Sequence, residues 1–226
     1  MSRPPELDAG HGRLLIGESA LRVLVAHAAD PVAVAVEGES AVADLAALTE
    51  AGVIAGGRAH PAVAGAVAAM VQPEVCTLEL SHSGKAMQGW VSHDAAALLL
   101  PARDAADERR VLLALHPTVV PGALAGLVDL APREAAEGRE PCAPDALADV
   151  ARRWRLVARW ELADGTAGSD GLEVIDTPTG LWLVTGGPAD QPAPSALAWP
   201  VTPTLVWRHL VRLVMRRAAE SRTPGG

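Results

Sequence analysis

The chain has 226 residues, half of them hydrophobic, and a formal charge of −8 from 19 basic and 27 acidic side chains. That length holds one large domain or two small ones sharing a core, and the hydrophobic share excludes disorder as a description of the bulk. The acidic balance and the absence of Phe and Tyr argue against nucleic acid, which needs a basic face and stacking platforms.

With six Trp as the only aromatic residues, the core has to be mostly Val, Leu and Ala. The opening "MSRPPELDAGHGRLL" has no apolar stretch behind a positive charge, so no secretion signal is expected there. The most apolar window, "PAVAGAVAAMV", is 11 residues, short of a membrane span. Cys76 and Cys142 stand too far apart for a disulfide framework or a zinc knuckle. A cytoplasmic location is the expectation.

In chain order, Leu21, Leu24, Val25 and Ala28 form a helical stripe that Pro31 stops. Val32, Val34 and Val36 alternate as a strand. Ser40 caps a second helix that Gly52 ends, and Pro61 opens a third that stops before Pro73. The period then changes. "VCTLELSH", "AMQGWVSH", "AALLLP" and "RVLLAL" read as strands, and a helix begins at Pro117. "APREAAEGREPCAPDA" has no apolar period and reads as a linker near 131–146. Beyond it, Leu147, Val150, Ala151 and Trp154 suggest a helix. Leu156, Ala158, Trp160 and Leu162 suggest a strand with Trp160 on its buried face. "GLEVID", "GLWLVT" and "SALAWPV" follow as strands, then a helix from Pro203.

That last helix repeats the earlier one. "HPTVVPGALAGLV" (116–128) and "TPTLVWRHLVRLV" (202–214) share six positions, from Pro117/Pro203 to Val128/Val214, at a constant offset of 86. Glu79-Leu80 likewise matches Glu161-Leu162 at an offset of 82. Helix, about four strands and helix on each side of a linker imply an internal duplication, with halves 15–131 and 143–219 in a single domain. The fold expected is α+β: a central antiparallel sheet, flanking helices and two quasi-twofold related halves. Residues 75–128 should then superpose on 157–214.

Candidates for chemistry are few. His82 and His93 flank a hairpin beside Ser83 and Asp94, so a small hydrolase built on His82, Ser83 and Asp94 is the alternative reading; a hairpin tip is the ordinary one. "SGKA" lacks the remaining residues of a phosphate loop, and Gly10, Gly12 and Gly17 follow no strand. "DGTAGSDG" lacks the alternating ligands of a calcium loop, and no His-x-x-x-His or Cys-x-x-Cys occurs. No cofactor and no metal are expected. Two interaction signals remain: Arg208, Arg212 and Arg216 recur every four residues on the last helix, and Trp207 adjoins them.

The early helix, the "VAVAV" strand, Leu48 to Gly52 followed by His60-Pro61, then Pro73-Glu74 and the matched ends at Pro117 and Pro203 resemble the EspG family. These are cytosolic chaperones of actinobacterial type VII (ESX) secretion, and the similarity covers roughly residues 15–218. The resemblance implies no enzymatic activity and a role in keeping a helical export substrate soluble, a PE/PPE-like or WXG100-like protein. It points to hairpin loops and the C-terminal helical region as substrate-facing. Ser81, His82, Ser83 and Lys85 at the hairpin tip, with Trp207, Arg208, Arg212 and Arg216, are thus expected to form one partner-binding patch. The protein is expected as a monomer or homodimer, with no nucleic acid and no membrane insertion.

Overall fold

A computed structural model describes residues 3–31, 39–102, 104, 107–133, 139–161, 165–186 and 196–220, with side chains in the last helix described through Met215. The expected strand at Val32–Val36 lies outside these residues. Among the described residues the fold is mixed α/β, with a large antiparallel sheet of ten strands and five helices. The chain divides into two compact units: residues 1–74 with 87–117, and residues 75–86 with 118–226.

In the first unit β1 (Glu6–Asp8), β2 (Arg13–Ile16), β8 (Arg110–Leu115), β7 (Ala96–Pro101) and β6 (Lys85–Val91) pair antiparallel in that order. A two-stranded ribbon, β3 (Ile54–Ala55) with β4 (Arg58–Ala59), turns on Gly56 and Gly57, both at positive φ. Three helices accompany them: α1 (Glu18–Ala29), α2 (Glu39–Glu50) and α3 (Pro61–Val71). Pro61 presets the first turn of α3, and the His60 ring accepts the Ala62 N–H at 3.2 Å. The small residues of α3 let it lie close on β7; a Cβ at Gly65 would stand 3.1 Å from Ala95 Cβ. Leu14, Ile16, Leu24, Leu48, Val63, Val67 and Leu112 close the core. Arg109 is buried, and Asp107, Glu6 and the Pro4 carbonyl accept its donors.

The second unit pairs β5 (Cys76–His82), β9 (Arg152–Glu161), β10 (Ala167–Thr177), β11 (Gly180–Thr185) and β12 (Leu197–Val201) antiparallel. Leu80 faces Leu156, which faces Leu172, and Trp154 faces Val174, which faces Leu183. This apolar row of the sheet packs with α4 (Val120–Leu127) and α5 (Pro203–Glu220): α5 lies against β10 and α4 against α5. The expected helix from Pro117 begins as a 3-10 turn, Pro117–Val119, before α4. At α5, Thr202 caps the first turn by accepting the Leu205 N–H at 3.2 Å.

The repeated positions are the packing positions. Val120, Leu124 and Val128 are buried on one side, Val206, Leu210 and Val214 on the other.

Two expectations are corrected. Trp154 sits in strand β9, not in a helix, because Arg152–Glu161 pairs along its length with β10. Only a 3-10 turn, Pro144–Ala146, precedes it. Part of the expected linker is also built in: Cys142 bridges Ala198 through two backbone hydrogen bonds of 3.1 and 2.8 Å. Cys142 and Leu147 then pack on Ile175 and Trp182.

Candidate functional site

The hairpin between β5 and β6 turns at Ser83 and Gly84, with φ of 50° and 74°. A glycine takes that conformation freely and a serine at a cost. The tip borders a cleft of about 510 Å³ whose other wall is the start of β9, with Glu173 of β10. Ser81, His82 and Ser83 line this cleft together with Arg152, Arg153 and Arg155. The helical spacing of Leu147, Val150, Ala151 and Trp154 hides these arginines in the sequence. The alternation of Arg153 and Arg155 with Trp154 and Leu156 in "RRWRLV" is the strand period that would have revealed them.

Ion pairs tie down the start of β9. Arg153 Nε donates to Glu173 at 2.6 Å. Asp176, nearly buried, accepts from Arg133 at 2.6 Å and meets Arg152 at 3.5 Å, and Arg152 also donates to Asp129 at 2.6 Å. The hydrogen bond from Arg152 holds the Asp129 carboxyl below its ordinary range, helped by the same cation's charge.

His82 Nε2 and Ser83 Oγ are 3.3 Å apart, so two members of the alternative catalytic set do meet. The other ring nitrogen, His82 Nδ1, is buried without a hydrogen-bond partner. A catalytic base of this kind needs a carboxylate there to hold its tautomer. Asp94 follows the far end of β6, a seven-residue strand. His93 follows the same end.

On α5 the side chains divide. Val206, Leu210, Leu213 and Val214 turn inward, while Trp207 and Leu205 are each 40% exposed. At 100° per residue Trp207 stands about 140° around the helix from Arg212. Trp207 and Arg208 are neighbours in the chain but diverge on the surface, so Trp207 and Arg212 do not form one narrow face. Arg212 is engaged within its own helix, donating to His209 Nδ1 at 3.0 Å. Since arginine only donates, His209 is neutral with its proton on Nε2. Burial and then the Arg212 charge push its pKa below the usual histidine value, against an opposing pull from Asp170. Arg216 lies on α5 beyond the described side chains.

A second exposed apolar group precedes the helix. On β12, Leu197 and Trp199 are 42% and 46% exposed, whereas Ala198 between them is buried. Strand alternation puts these two side chains on one face, next to Leu183 in register with Trp199. Trp199 carried no signal in the sequence beyond being one of six tryptophans.

Trp160 is half-buried, in phase on β9 with the buried Leu156 and Ala158. Its ring lies over Gly168, its register partner on β10, where a Cβ would come within 2.6 Å of ring carbons. Free thiols Cys76 and Cys142 form no disulfide. Among the described residues no group of three or more His, Cys, Asp or Glu is placed to hold a metal ion, and no helix is long and apolar enough to cross a membrane. No family model matches the chain, and no curated protein matches it.

Proposed function

We propose that this protein is a non-catalytic binding partner for a helical protein, acting as a cytosolic EspG-like chaperone for a substrate of a type VII secretion system. The observation that carries this reading is the concentration of exposed apolar side chains at β12 and the start of α5. Of the eight large hydrophobic side chains exposed among the described residues, four fall between Leu197 and Trp207. A soluble domain gains nothing from exposed tryptophans of its own, whereas a partner helix with an apolar stripe would bury them. Two of the four are tryptophans, the residue type most enriched where binding energy concentrates.

The proposal includes an internal duplication as the origin of the scaffold. Four successive strands followed by a helix occur twice, β5–β8 with α4 and β9–β12 with α5, and this supports it. The test is co-expression with a WXG100-like or PE/PPE-like helical hairpin, followed by size-exclusion chromatography with light scattering. Co-elution at 1:1 stoichiometry is expected, lost in the double variant Trp199→Glu/Trp207→Glu. Elution of the two proteins apart at micromolar concentration would refute the reading for those substrates.

A further inference from the structure

We propose that the groove between α1, the end of α3 and strands β6 and β7 is a binding site for a small neutral molecule with a hydrocarbon body and a hydroxyl head, such as a medium-chain alcohol. It lies wholly in the first unit and is independent of the partner-binding reading above. Its volume is about 410 Å³. An apolar cavity of about 150 Å³ already takes benzene, so this groove has room for a ligand roughly two to three times that size. Leu21, Val25, Met70, Trp90 and Leu99 make its walls. The space follows from side-chain size. Toward its end α1 turns Ala26 and Ala29 to the groove, where leucines would have filled it. Met70 and Trp90 are left half-buried, packed on the core yet open to the groove.

The polar side chains decide the head group. Glu18 and Arg22 stand one turn apart on α1 with opposite charges, so together they favour neither sign of ion. Gln88, on the same face of β6 as Trp90, adds a neutral amide. An anionic head would meet the Glu18 carboxylate and a cationic one the Arg22 guanidinium. A hydroxyl suits all three, because it donates to a carboxylate and accepts from a guanidinium or an amide. Apolar walls with a few convergent polar groups are the usual make-up of a small-molecule site.

Isothermal titration of the full chain with 1-octanol, octanoate and octylammonium tests the site directly. Saturable 1:1 binding of octanol is expected, with a Kd below about 1 mM. Octanoate and octylammonium should each bind about tenfold more weakly, since a charged head loses hydration that the oppositely charged pair does not return. Ala29→Phe fills the groove from an exposed position and should weaken octanol about tenfold with the thermal melt unchanged. Val119→Phe, exposed on the second unit, should bind octanol as the wild type does. No saturable octanol binding, a charged analogue that binds as tightly, or equal binding by Ala29→Phe would each overturn the proposal. So would a wild-type dimer in light scattering that Ala29→Phe dissociates, which would assign the groove to a second copy. Because none of these probes is a helix, failure here is separate from failure to capture a helical hairpin.

Discussion

Individual side chains carry the sharpest consequences. Gly168 has no side chain because the Trp160 ring occupies the space where one would begin. Gly168→Ala should therefore destabilise the protein by about 1–3 kcal/mol, the usual cost of overpacking. In a Trp160→Ala background the same change should cost almost nothing, and a double-mutant cycle in urea reads the difference. Equal losses in both backgrounds would show that the ring and the glycine are not coupled. His209 has a different signature. Its folded pKa lies below the unfolded value near 6.5, so the unfolded chain binds the proton first as pH falls. Its contribution is full above pH 6.5 and is lost progressively below it. The melting temperature of His209→Gln should depend less on pH just below 6.5 than that of the wild type; identical slopes would place His209 in ordinary solvent. The exposed Trp199 and the half-buried Trp160 were not separable by sequence. Both alternate correctly on their strands, and what differs is how much of each ring a neighbouring element covers.

At the level of elements, strand and helix order was legible wherever the period was clean. The strands now labelled β5 to β8 and β10 to β12, and helices α1, α3 and α5, follow from alternation, capping residues and prolines. The start of β9 was not. Leu147, Val150, Ala151 and Trp154 satisfy a helical spacing, but Leu147 is spent covering Trp182 and Trp154 belongs to the sheet. Non-local pairing overrode a local pattern, and the arginines of the cleft were lost with it. Asp176 tests how the pieces are tied. It is nearly buried, on β10, and joins Arg133, just after α4, to Arg152 of β9. Asp176→Asn leaves two cations facing a neutral group and should cost about 3 kcal/mol, the lower end for breaking a buried pair. A loss under about 0.5 kcal/mol in denaturant melts would mean that the network contributes no more than surface pairs do.

For the whole molecule, a scaffold of paired strands with helices on its apolar face leaves three kinds of surface in the second unit: a tryptophan-bearing strand and helix, a cleft beside the β5–β6 turn and a solvated remainder. The repeated Pro-Thr helices were the clearest sequence signal, and they report packing rather than binding. The residues proposed to bind sit where the two similar segments differ: Trp207 stands at the position of Pro121, and Arg208 and Arg212 at those of Gly122 and Gly126. Acid should unfold the molecule through its pairs. Arg109 and Arg152 hold Asp107 and Asp129 below the ordinary carboxylate range. Their stabilisation is complete above the unfolded pKa near 4 and is lost as pH falls through the folded values. The central claim, that exposed tryptophans of β12 and α5 receive a partner helix, is tested most directly by hydrogen exchange with and without a WXG100-like hairpin. Slowed exchange confined to residues 197–212 on adding the hairpin is the expected result. Unchanged exchange across that segment at a saturating concentration of the hairpin would contradict it.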